Sequence, residues 1–159
     1  MPDWMSHIII VLIFSEVFNI RKKSLLVFGS LLPDFLSKLH LFFFYFGLND
    51  FLSFGFFHTP VVSILVGVIV ASLFKYNRVK TTVFIIFGVI SHFLADLTMK
   101  HFHSGMLIYF PFSFKVYTFN LIWPEQSIYV LIVSFIVYVI IRIVKKINLE
   151  NRGLFNLLK

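Results

Sequence analysis

The sequence predicts an all-α fold, a polytopic membrane helical bundle of about four spanning helices with re-entrant or interfacial helices between them. Three observations carry this expectation. The 159 residues are 59% hydrophobic and 13% charged, where a soluble domain holds roughly 45–50% apolar and about 25% charged residues. The apolar residues gather into segments of spanning or near-spanning length. The basic residues gather at segment ends. Eleven of the fourteen Lys and Arg fall in Arg21-Lys22-Lys23, in Lys75, Arg78 and Lys80, and in Arg142, Lys145, Lys146, Arg152 and Lys159. The positive-inside rule expects this of cytoplasmic loops. On a soluble chain a net charge of +7 would raise nucleic acid as a partner; here its placement points to membrane lipids, and no nucleic acid is expected. The chain has no cysteine, which excludes disulfides, thiolate ligands and a Cys nucleophile. Met1-Pro2-Asp3-Trp4 lacks a basic n-region, so no signal peptide is expected.

Each segment follows from its own composition. Residues 4–20 are apolar, interrupted by His7 and Glu16. Residues 24–33 are shorter and end at Pro33-Asp34, and proline disfavours helix just before it, so a break is expected near Leu32. Residues 35–48 hold Lys38 and His40 and are too short to span, which suggests an interfacial or re-entrant helix. Residues 51–74 contain no Asp, Glu, Lys or Arg and exceed the roughly 18 residues expected of a spanning helix. Pro60 suits a first helical turn there. Residues 81–99 return across the membrane after a basic hairpin. Residues 101–124, broken by Pro111, Lys115 and Pro124, fit a structured loop or half-inserted hairpin. Residues 126–144 form the last span, with Glu125 in a first turn where a carboxylate suits the helix dipole. Trp4, Trp123, Tyr109 and Tyr117 fit an outer interfacial belt. Residues 1–146 are thus one membrane-embedded domain and 147–159 a short cytoplasmic tail.

The chemistry centres on Gly88 to Met99, GVISHFLADLTM. His92 and Asp96 are four residues apart and share one helical face. A neutral imidazole and a carboxylate so placed can hold one divalent cation, and an Asp inside a membrane segment is a functional hypothesis by default. The plainer reading is a pair that neutralises itself within the bundle. Depth adds three residues to the pair. His7 is 14 residues from Arg21, Asp34 is 11 from Lys23, His58 is 17 from Lys75, and His92 and Asp96 are 12 and 16 from Lys80. At about 1.5 Å per residue these separations become roughly 16 to 26 Å, one layer in the outer half of the membrane. Three imidazoles and two carboxylates suit the nitrogen and oxygen preference of Zn²⁺, and two carboxylates balance one dication. Glu16, nine residues from His7, is out of phase with the site and is expected to pair with a basic residue from the inner side. His101 and His103 would complete a second metal site or serve as general acid, although solvated interfacial side chains are the commoner reading.

At these residues the chain resembles the membrane-bound metal-dependent hydrolases of bacteria and archaea, distant relatives of the zinc-dependent phospholipase C and single-strand nuclease superfamily. The matching pieces are His7, Leu32-Pro33-Asp34, His58-Thr59, Ser91-His92 with Asp96, and an apolar run from Gly105 to Phe110-Pro111-Phe112-Ser113. They stand in the family's order over roughly residues 5–114, and five weak motifs in order are more specific than any one alone. The resemblance implies a mainly helical fold, metal-ligand roles for His7, Asp34, His58, His92 and Asp96, and phosphoester chemistry. Ser53-Phe54 and Phe35-Leu36 stand where relatives often carry a further His-Arg and a second Asp, a second His-x-x-x-Asp/Glu is missing, and Trp4 is not terminal. These departures reduce the implied cluster to one or two ions.

The function expected is therefore zinc-dependent hydrolysis at the extracytoplasmic interface of the cell membrane, with a small amphiphilic substrate such as a lipid phosphoester. Asp34, His92 and Asp96 are the candidate catalytic residues, Asp34 as a ligand or as the group that orients water. The alternatives are a non-enzymatic structural or partner-binding membrane protein whose metal is a staple, and a metal transporter.

Overall fold

The structure is a computed structural model that describes residues 4–47, 57–100 and 106–157, with the side chains of 40, 41, 44 and 150–157 excepted. The described residues form five α-helices and one 3₁₀ turn: α1 (Trp4–Val17), α2 (Lys23–Tyr45), α3 (Pro60–Leu73), α4 (Arg78–Thr98), the turn Pro124–Gln126, and α5 (Ser127–Leu157). No strand forms among them; two isolated bridges, Met99 with Ile122 and Met106 with Tyr117, tie the segment before α5 to the end of α4.

Helix α4 is the centre. It packs on α2 and α3, while α1 packs on α2 and carries α5 on its far side. Glycine makes the α2–α4 contact possible. A Cβ on Gly29 would run into the Ile85 carbonyl oxygen, and one on Gly88 into the Leu26 carbonyl oxygen. Two backbones meet here with no side chain between them, as small residues allow in membrane helices. Around this contact Leu25, Leu32, Leu36, Ala71, Ile85, Val89, Phe93 and Met106 form the apolar core.

The helix ends are set by local chemistry. Thr59 caps α3, accepting from the Val62 amide at 3.4 Å, with Pro60 at the first position. Asn77 caps α4, accepting from the Lys80 amide at 3.1 Å. At the other end of α4 the amides of Phe119 and Leu121 donate to the carbonyls of Leu97 and Thr98 at 2.8 and 2.9 Å. A helix leaves its last carbonyls without intrahelical partners, and residues 118–122 supply them. The expected structured segment before the last helix thus holds the end of α4 in place.

One expectation needs correction, and two further boundaries are set by the structure. The break near Leu32 does not occur: α2 runs through Pro33 for 23 residues, so the separate interfacial helix over 35–48 is its second half as far as Tyr45. Proline removes one backbone bond, and packing of the flanking turns on α4 outweighs that single loss. Of the segment 51–74, residues 51–56 lie outside the described residues; α3 runs over the 14 residues Pro60–Leu73, about 21 Å of helix, with Thr59 as its cap. Helix α5 continues past Arg142 to Leu157.

Two helices, α4 and the stretch Pro124–Leu149 containing most of α5, are long and apolar enough to cross a membrane. None of the apolar window of the second is buried, and Ile128, Ile132, Phe135, Ile136, Ile140 and Ile143 all stand exposed. An apolar surface of that extent belongs in lipid rather than water.

The basic clusters meet at one end of the bundle. Glu16, buried at the foot of α1, is bonded by Lys23, by Arg142 at 3.1 Å and by Lys145 at 3.3 Å. The Lys22 ammonium lies 4.0 Å from the Tyr76 ring centre, which joins the first cluster to the second. Glu16 thus pairs with basic residues, as its phase implied.

A buried cluster of three histidines and two aspartates

The opposite half of the bundle holds the candidate site. His7 comes from the first turns of α1, Asp34 from the middle of α2, His58 from the residue before the α3 cap, and His92 and Asp96 from the last turns of α4. Their side chains converge. All five are buried, at 7% exposure or less. Asp96 lies at the centre, with Oδ2 2.8 Å from His58 Nε2 and 3.2 Å from His92 Nε2, and Oδ1 3.4 Å from His7 Nε2. Asp34 Oδ1 is 3.8 Å from His92 Nε2. The His7 and His92 rings stack with centres 4.0 Å apart.

The orientation of the imidazoles decides what the cluster can hold. His92 Nδ1 is 2.7 Å from the Ser30 carbonyl oxygen. A carbonyl only accepts, so Nδ1 carries the hydrogen and a neutral His92 turns a bare Nε2 toward two carboxylates. His58 Nδ1 stands 3.4 Å from the Pro33 carbonyl, which favours the same tautomer. Both anchors lie on one turn of α2. An imidazole that gives its outer N–H to a backbone carbonyl and aims its other nitrogen inward is the arrangement usual for metal-ligating histidines.

Donor nitrogens and carboxylate oxygens facing one another need positive charge between them, either added protons or a cation. His92 Nε2, Asp34 Oδ1 and both ring nitrogens of His7 are buried without a hydrogen-bond partner, a costly condition unless something binds there. The donor atoms form two overlapping triads, His7-Asp34-His92 and His58-His92-Asp96, each with all atoms within 4.8 Å of one another. Ligands about 2.1 Å from a tetrahedral ion stand ~3.4 Å apart, within the 2.8–3.8 Å range of the imidazole–carboxylate separations in the cluster. The residues fit a divalent ion with nitrogen and oxygen ligands.

All five residues singled out by depth in the sequence are brought together. His101 and His103 lie outside the described residues, as does Gly105 of the apolar run. The backbone anchors at Ser30 and Pro33 were not foreseen, because carbonyl groups leave no mark on side-chain identity. The glycines at 29 and 88 could have been found as isolated glycines within apolar helices.

A family model described as YdjM inner membrane protein matches residues 5–152. The chain belongs to the YdjM inner membrane protein family. That membership and the two long apolar helices make it a protein of the cell membrane. The match supports a membrane protein family and lends no support to the more distant kinship with the phospholipase C and nuclease superfamily. No curated protein and no solved structure matches the chain.

Proposed function

We propose that the protein is a metal-dependent membrane hydrolase acting on a phosphoester, with one zinc-class ion held by His58, His92 and Asp96 and completed by His7 or Asp34. The observation that carries this reading is His92. Its Nδ1 is committed to the Ser30 carbonyl, so its Nε2 offers a single lone pair at the point where both triads overlap. One shared nitrogen supports one ion. Two carboxylates and a dication also leave the cluster neutral, which suits low dielectric. An ion so bound would supply Lewis acidity toward a phosphoryl oxygen and lower the pKa of a coordinated water. Asp34 is the freer carboxylate, 3.8 Å from His92, and is placed to orient that water. With the basic end cytoplasmic by the positive-inside rule, the cluster belongs to the extracytoplasmic half, and α1 to α5 run between the two ends.

A structural metal is the competing reading, and the burial of all five side chains is the observation that favours it, since structural sites have their shells closed by protein. Hydrolysis separates the two. Purified, zinc-loaded protein is expected to release phosphate from nitrophenyl phosphate esters or from phosphatidic acid in mixed micelles, with at least a hundredfold loss in Asp34→Ala and full loss on chelation. Full metal occupancy with no turnover of either substrate would favour the structural site.

A further inference from the structure

Three lysines lie outside the basic clusters, Lys38, Lys100 and Lys115, and each rests on an aromatic ring. Lys100 Nζ is 3.7 Å from the Trp123 ring centre, Lys115 Nζ 5.7 Å from Tyr117, and Lys38 Nζ 3.8 Å from Trp4. Lys38 is different because of what lies beneath it. It is four residues beyond Asp34 on α2, and Trp4 is three residues before His7 on α1. Both spacings keep a residue on the same helical face. The Lys38–Trp4 contact therefore spans the α1–α2 seam one turn outside the His7–Asp34 level, about 6 Å along the axis. Side chains on a helix lean toward its N-terminus, so Lys38 leans back over the turn that carries Asp34. Trp4 and Lys38 are both exposed while the cluster is not.

We propose that Lys38 is the residue that receives the phosphate of the substrate at the mouth of the cluster, with the Trp4 ring holding its ammonium in place until the anion arrives. The inference rests on the metal-hydrolase reading. Two carboxylates already balance the dication, so an arriving phosphate brings charge that the cluster does not offset. An uncompensated anion in a low-dielectric site is costly. Lys38 is the cation built into the same face. Its compact ammonium pairs with phosphate as a point charge, and its flexible stem allows it to leave the ring.

The test uses the full-length protein in detergent loaded with Co²⁺, whose visible absorption reports its ligand environment. Inorganic phosphate is titrated in one arm. In the other, protein in phosphatidylcholine nanodiscs is compared with protein in nanodiscs that also contain phosphatidic acid, so a free anion and a lipid headgroup are told apart. In the Trp123→Phe background, Trp4 emission gives a second signal as Lys38 leaves the ring. Wild type is expected to show a saturable change in both signals with at least one phosphate source. Lys38→Gln is expected to bind cobalt at the same stoichiometry with at least tenfold weaker phosphate response, and Lys38→Arg to recover most of it. Cobalt bound equally but phosphate response unchanged in Lys38→Gln, or no response in wild type to either source, would overturn the role of Lys38. Failure of wild type to bind cobalt at all is a different result: it removes the metal-hydrolase reading, and this inference with it.

Discussion

Asp96 is fully buried and faces three imidazoles, so its carboxylate organises the site. Asp96→Asn keeps the shape and removes the charge. The expected result is a protein that folds but no longer responds to metal. Binding to the native state alone stabilises by about 2.7 kcal/mol when free ion is a hundredfold above its dissociation constant. Thermal melts in detergent should therefore show wild type stabilised by zinc and destabilised by chelator, with Asp96→Asn indifferent to both. Wild type and variant shifting alike with zinc would place the ion elsewhere. The five acids and imidazoles were legible because depth from a basic turn can be counted along a chain. Their orientation was not, because the Ser30 and Pro33 carbonyls that turn His92 and His58 belong to backbone that every residue has.

At the scale of elements, the α2–α4 contact sets the distance between Asp34 and His92. Gly88 has no room for a methyl group, since its Cβ would meet the Leu26 carbonyl and the Ser30 amide. Gly88→Ala should force the helices apart, at a cost of about 1–3 kcal/mol for overpacking, and should lower melting temperature and metal affinity together. Metal affinity unchanged at lowered stability would show that the cluster does not depend on this contact. Glu16 tests a different joint. It gathers Lys23, Arg142 and Lys145 where α1 meets α5, and removing one partner from a buried ionic group costs roughly 3–5 kcal/mol, less for cations as exposed as these. Glu16→Gln should loosen α5, read as faster proteolysis of its C-terminal half, while metal content stays at the wild-type level. Helix type was legible throughout, from hydropathy and from Pro60 and Glu125. Boundaries were not. Proline alone predicts a break at Pro33, and packing carries α2 through it; hydropathy likewise does not show that α5 runs on past its basic residues.

The whole molecule has a basic end and an end that carries the buried cluster. The sequence made this legible through charge alone, because eleven of fourteen cations fall in three runs and the contacts of Glu16 and of Lys22 with Tyr76 bring those runs together. The lipid-facing surface of α5 was legible as hydropathy, but its packing on α1 was not, since no residue pattern in it names a partner. The cysteine-free chain allows sidedness to be read with single introduced thiols. Lys22→Cys, Arg78→Cys and Lys146→Cys should all resist an impermeant reagent in intact cells, whereas Lys115→Cys should react. Labelling of any of the first three would set a basic turn on the outer face. The central claim is that four separate elements, α1, α2, the start of α3 and α4, are joined through one ion. Metal content of purified wild type, His92→Ala and Asp96→Ala, measured by mass spectrometry beside circular dichroism to confirm folding, tests it most directly. The expected result is close to one zinc per wild-type chain and little in either folded variant; equal zinc in all three would contradict it.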